Sequence, residues 1–433
     1  MSAEHGTSAA KDGGETGRSR LPDGPRTPGP SGIFDRRLVG GVYVPTFVFE
    51  AGVSAIVPVV ALSAISMGAG IALAGFVVAL LGLGQIAGDV PAGAFAARFG
   101  DRRAMMTAAA ASIVGLVACA LAPNLWVLGA GVFCVGMTNA VFMLARQAYL
   151  TEVTPVLKRA RALSTLAGTH RIGAFVGPFA AAAVLWAWDL PAVYWLAVGT
   201  SVVAGLVTAL VPDVAAGSTA HRRSVAPVSF RTVLAANWRV FATLGIAVVM
   251  VGATRAARQV VLPLWSEHLG FSPATTSVIF GLSGAVDMLL FYPAGRVMDR
   301  WGRLWVAIPC MVVLGGAIVV LPLTSTVAGV AVVAMVMGFG NGIGSGILMT
   351  LGADVAPPDV RAQFLGIWRL FQDSGTALGP LVVSAGAALG SLAGGIVASG
   401  TVGLLGAVAL ARWVPRWSVH ANRTTRRRAG IES

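Results

Sequence analysis

Ten ionisable side chains lie deep inside apolar runs of a chain that is 56% hydrophobic and only 11% charged: Glu50, Asp89, Arg146, His170, Arg171, Arg255, Arg258, Asp287, Arg369 and Asp373. Carboxyl groups in such surroundings load and release protons, arginines offer fixed forked donors to oxyanions, and a histidine titrates near neutrality. Other chemistries find no footing. No G-x-x-x-x-G-K-S/T phosphate cradle occurs, and the two lysines, Lys11 and Lys158, lie outside glycine loops. Cys119, Cys134 and Cys310 stand singly in apolar stretches without metal-ligand spacing, so they read as small buried hydrophobes, and no metal or other cofactor is expected. No serine, cysteine or histidine constellation with an orienting acid is recognisable, and no enzymatic activity is expected.

Hydropathy sets the elements that hold these residues. A mean hydropathy of +0.79 over 433 residues exceeds what a water-exposed globule tolerates, so the expected solvent is lipid. From Val39 onward the chain divides into twelve apolar stretches, 40–64, 71–97, 104–122, 125–153, 162–187, 191–211, 239–266, 273–297, 305–324, 327–352, 362–387 and 391–415. Each is long enough to cross a hydrocarbon core of roughly 30 Å as a helix. The expected class is an all-α integral membrane protein, and the first stretch is too long for a cleaved leader.

The net charge of +13 belongs to topology rather than to a nucleic-acid partner. Apart from the five deep arginines, the basic residues fall in the tails, in the even-numbered loops or at the helix ends flanking them. The odd-numbered loops carry none. By the positive-inside rule both termini are cytoplasmic in a multi-pass cell-membrane protein, with anionic lipid contact as a side effect. Residues 1–38, rich in Gly, Ser and Pro, read as a disordered tail, and 417–433 as a basic tail.

The chain also repeats itself. At a constant offset of 202, Pro91, Gly93, Arg98 and Gly100 meet Pro293, Gly295, Arg300 and Gly302. The same register pairs Gly136 with Gly338, Asn139 with Asn341, Pro155 with Pro357, Gly173 with Gly375, Gly177 with Gly379 and Pro178 with Pro380. Two homologous six-helix halves follow, 39–211 and 239–416, joined by a charged cytoplasmic linker, 212–238. Six being even, the halves are parallel repeats related by an axis along the membrane normal.

These residues carry a resemblance to the major facilitator superfamily over about residues 39–416. Its loop between helices 2 and 3 reads G-x-x-x-D-R-x-G-x-R. Gly295, Asp299, Arg300, Gly302 and Arg303 fit it with the last arginine one place early, while Gly93, Arg98, Gly100 and Arg102 fit with Ala97 at the acidic position. The two phrases read as cytoplasmic gates, the first glycine allowing close helix approach, the second a tight reversal, and the charges bonding across the halves. GAFVGP at 173–178 and GTALGP at 375–380 resemble the G-x-x-x-G-P helix-bend element of proton-coupled drug exporters. The Arg that the family places four residues before Gly136 is here Val132.

The resemblance implies a secondary transporter working by alternating access, its partners a small amphipathic molecule, protons and lipid, and a monomer. Proton-coupled efflux is the expected direction. Alternatives are proton-linked import of an anionic metabolite or sugar, or a membrane-embedded sensor or enzyme on the same scaffold. Eight of the ten buried groups fall about seven to eleven residues from the cytoplasmic helix ends, roughly 10–16 Å deep. The family's pairing of helix 2 with 11 and helix 5 with 8 matches Asp89 to Arg369 and Arg171 to Asp287 as gating pairs. Arg255 and Arg258, nearer the outside and without a depth-matched acid, join Gln259, Arg146, Asn139 and Asn341 as expected cavity residues. Glu50, Asp373 and Asp287 are the expected proton-coupling acids. Glu50 aligns through Pro58 and Pro263 with Arg255, so only the first half offers an acid there; a static Glu50–Arg146 ion pair is the competing reading.

Overall fold

The structure, a computed structural model, describes residues 38–154, 159–210, 230–428 and 430. The amino-terminal tail and most of the linker fall outside these residues. Twelve long helices form, and no strand occurs among the described residues. In the first half they are α1 (Val44–Ser66), α2 (Ile71–Phe99), α3 (Asp101–Ala120), α4 (Leu125–Val153), α5 (Arg159–Leu185) and α6 (Leu190–Leu210). In the second they are α7 (Ile246–His268), α8 (Pro273–Trp301), α9 (Leu304–Val320), α10 (Val327–Ile343 and Ile347–Val355), α11 (Arg361–Ala388) and α12 (Leu392–Trp417). Ten of these segments are long and apolar enough to cross a membrane by length and composition. The other two, α5 and α11, are long enough but carry the deep charges His170, Arg171, Arg369 and Asp373.

α10 departs from the sequence expectation of one continuous helix. It comes in two pieces, Val327–Ile343 and Ile347–Val355, with Gly346 at φ +75° between them. The cause is local: glycine occupies every second position from Gly338 to Gly346, and each glycine in a helix interior costs about 1 kcal/mol relative to alanine. The repeat partner α4 has Phe142 at the place of Gly344, stacked on Phe49 of α1 at 4.1 Å, and stays unbroken. Other repeat features are kept in both halves. A wide π turn opens the first helix of each, Val39–Tyr43 and Phe241–Gly245, 202 residues apart.

The ends of the bundle differ. At the face opposite the termini the connections are short, and side chains cap α4, α8, α10 and α12: Asn124, Ser272, Thr326 and Ser391 accept from the first-turn amides. There one apolar cluster runs through both halves, from Ile56, Val60 and Tyr194 to Val261, Trp265, Ile318 and Leu392. Towards the terminal face the core separates. One cluster belongs wholly to the second half (Phe241, Met311, Phe364, Trp368), and two belong wholly to the first, around Phe49, Met105 and Phe142 and around Tyr43 and Leu150. The halves are thus sealed together at the far face and parted at the terminal face.

Within each half the paired glycines serve packing. A Cβ on Gly173 would sit 2.7 Å from the Phe47 carbonyl oxygen, and one on Gly375 2.9 Å from the Ala253 amide nitrogen, so α5 lies directly on α1 and α11 on α7. Gly177 and Gly379 press on the same helices. Pro178 and Pro380 sit buried inside helices that continue past them.

Candidate functional site

The buried ionisable groups gather where the shared core ends and the halves part. Three clusters form. The first is centred on Glu50 of α1, only 8% exposed, whose Oε2 lies 2.9 Å from Nδ1 of His170 on α5. The histidine side chain is 32% exposed and so faces the opening. Arg146 of α4, 4% exposed, adds its charge to the same carboxylate. Asn139 is buried on α4 with its Oδ1 unpartnered.

The second cluster joins the halves. Arg369 of α11 reaches Asp89 of α2 at 3.4 Å through Nη2, and Asp373, one turn along its own helix, at 3.4 Å through Nε. Arg369 is thus the cation between the two carboxyl groups, and neither Asp89 oxygen has a hydrogen-bond partner among the described residues.

The third cluster centres on Asp287 of α8. It receives the Asn341 amide at 2.6 Å, Arg171 of α5 at 3.3 Å and Arg258 of α7 at 3.7 Å. Arg171 also donates to the Ser345 hydroxyl, and Arg258 to the Ser283 hydroxyl at 3.0 Å. Arg255 donates to the carbonyl of Gly344 at 2.6 Å. Gln259 is half-buried beside Arg258. The sequence expectation that Arg258 lacks an acid is therefore corrected: it shares Asp287 with Arg171, because α5 and α7 both pack on α8, which carries that carboxylate. Arg255 bonds a backbone carbonyl instead.

The loop phrases bond differently from the sequence expectation of charges holding one half to the other. Arg102 donates to the carbonyls of Thr208 and Ala209, capping α6 of its own half, at 3.1 and 2.8 Å. Arg303 pairs with Asp354 at 3.0 Å, also within its half, and Ser418 donates to the same carboxylate at 3.0 Å. Arg98 is exposed over the Phe99 ring, and exposed Arg300 offers its carbonyl to Arg426. The turn glycines behave as read: Gly100 and Gly302 end α2 and α8 at φ +87° and +107°. Gly295 faces open space rather than a neighbouring helix. The side chains of Gly93 and Asp299 lie outside the described residues.

Ser283, Ser345 and Asp354 are site residues that the sequence reading missed; the alternating glycines were the one available signal for Ser345. The comparisons with known proteins agree with this geometry. A family model for the Major Facilitator Superfamily matches residues 42–380 and 244–430. The chain belongs to that superfamily, and it is a multi-pass membrane protein and a secondary transporter. Among curated relatives it is similar to multidrug resistance protein MdtH of Klebsiella pneumoniae (strain 342), 26% identical over 290 residues covering 66% of this chain and 70% of the relative. It is likewise similar to MdtH of Enterobacter sp. (strain 638), 24% identical over 295 residues, with the same coverage. In fold it resembles a D-xylose-proton symporter, TM-score 0.68, 16% identical, covering 88% of this chain and 98% of that one. It also resembles a POT family transporter in complex with 5-aminolevulinic acid, TM-score 0.69, 13% identical, covering 88% and 96%.

Proposed function

We propose that the protein exports an amphipathic small molecule, of the kind implied by its multidrug-resistance relatives, in exchange for protons by alternating access. The basic loops make the terminal face cytoplasmic, so the parted halves correspond to an inward-facing state. The carrying observation is the Glu50–His170 contact at 2.9 Å, a buried acid on a histidine that reaches the opening. In this reading protons from water in the cavity reach Glu50 past His170, with Arg146 beside the same carboxylate. The Asp89–Asp373 pair on Arg369 is a second proton store that spans the halves, so its occupancy bears on how they move. Asp287, expected among the proton carriers, serves in this reading as the fixed counter-charge of the arginine cluster. In this reading the protein acts as a monomer.

The test is reconstitution into vesicles with an imposed pH gradient and a panel of amphipathic cations, neutral compounds and anions. Expected is substrate-dependent proton flux opposite to substrate movement. Proton flux in the same direction as substrate would establish the import alternative, and binding without flux a sensor.

A further inference from the structure

We propose that the break in α10 and the three arginines around it form a subsite for the carboxylate of an amphipathic substrate. This rests on the export reading and names the class of molecule taken. Arg171, Arg255 and Arg258 are close enough to act on one another; Arg171 and Arg258 share the Asp287 carboxylate, and Arg255 donates to the Gly344 carbonyl. An arginine held by a neutral carbonyl, beside two that share one carboxylate, concentrates positive charge inside the membrane span, where an uncompensated charge costs at least about 2–3 kcal/mol. Arg258 is 9% exposed, and its Nε has no partner; the Nε of Arg255 has none either. Arginine donors left in this condition await an oxyanion, which a forked guanidinium binds through two parallel hydrogen bonds.

The break in α10 belongs to the same site. Non-helical backbone at membrane depth is tolerated where it is buried in protein or lines a cavity, and interrupted helices supply transporter sites with polar backbone. Here the loosened backbone gives Arg255 the Gly344 carbonyl and sets the Ser345 hydroxyl on Arg171. An arriving carboxylate would exchange these neutral acceptors for a charged one, roughly twice as strong. The apolar part of the ligand has a place as well. Phe175 and Phe179 follow Arg171 at one-turn intervals on α5, in edge contact at 5.3 Å, with Phe179 against Gly281 of α8. An anion head on Arg171 therefore lays its aromatic or aliphatic body along these rings. No counterpart exists in the first half, where α4 is unbroken and Glu50 stands at the place of Arg255.

Binding is measured by calorimetry on the full-length protein in uncharged detergent without any gradient, using benzoate, benzamide and inorganic sulfate. The result expected is that benzoate binds at least about tenfold tighter than benzamide, as one charge-assisted bond implies, and tighter than sulfate, which lacks the ring. Arg255→Gln and, separately, Arg171→Gln should abolish the benzoate preference, and Arg255→Lys should keep part of it. Variants are compared at equal monodispersity, so that whichever of the two glutamine variants folds decides. Equal binding of benzoate and benzamide, a preference unchanged in the variants, or sulfate binding as well as benzoate would overturn the proposal. Because no gradient or transport enters the measurement, its failure is separate from failure of proton-coupled export.

Discussion

Arg369 of α11 places its Nη2 3.4 Å from Oδ1 of Asp89 on α2, so that one guanidinium of the second half holds a carboxylate of the first. This contact exists while the terminal face is parted. It lies between the halves, on α2 and α11. Because Arg369 also holds Asp373, the two acids depend on one cation. Arg369→Gln leaves two carboxyl groups facing each other, whereas Asp89→Asn leaves Arg369 still paired. The first substitution is expected to reduce thermal stability by about 1–2 kcal/mol more than the second. Melting of both purified variants checks this, and equal losses would show that the carboxyl groups do not share the cation.

Glu50→Gln removes the buried acid and keeps its shape. Transport driven by a pH gradient should be lost, while substrate exchange across vesicles without a gradient persists, since the carboxamide still packs between α1 and α5. Unchanged gradient-driven transport in this variant would falsify the assignment of Glu50 as a proton carrier.

The far-face seal predicts a cross-link. A Cβ at Gly75 on α2 would stand 3.4 Å from Cβ of Ser384 on α11, close to the roughly 3.8 Å of a disulfide. With Cys119, Cys134 and Cys310 replaced, the pair Gly75→Cys and Ser384→Cys should oxidise readily and arrest transport until reductant is added. Full transport with the bond formed would mean that the far face has no need to open.

Two positive-φ glycines separate strain from collision. Gly346 at φ +75° has open space about its missing Cβ, so Gly346→Ala should cost about 1–2 kcal/mol from backbone strain alone. At Gly302 the same atom would also lie 2.6 Å from the Ala421 carbonyl oxygen and 2.8 Å from the Asn422 Cα. Gly302→Ala is expected to be the more destabilising of the two by thermal melting; the reverse order would count against the packing of the segment after α12 beneath the α8–α9 turn.

The architecture was legible because lipid enforces it: apolar length gives spans, basic residues give sidedness, and the gapless register of Pro91 with Pro293 and Gly173 with Gly375 gives two halves. The pairs Asp89–Arg369 and Arg171–Asp287 were reachable from depth plus the family's helix pairing. Arg258 on Asp287 was not, because depth along a helix says nothing about its rotation, and the break in α10 sets Ser345 on Arg171 of α5. Nor could the sequence tell that Arg102 and Arg303 bond within their own halves. A charge in a loop has several partners in reach, and which one it takes depends on whether the bundle is open on that side.

The seal at the far face is almost purely apolar, whereas the parted face is rich in charge. Opening outward would wet Ile56, Val60, Val261 and their neighbours while drying polar surface on the other side, so that step carries a positive heat-capacity change. Apolar association weakens on cooling. The balance between the two conformations is therefore set to shift with temperature, the outward-open form gaining population in the cold and the inward-open form in the warmth.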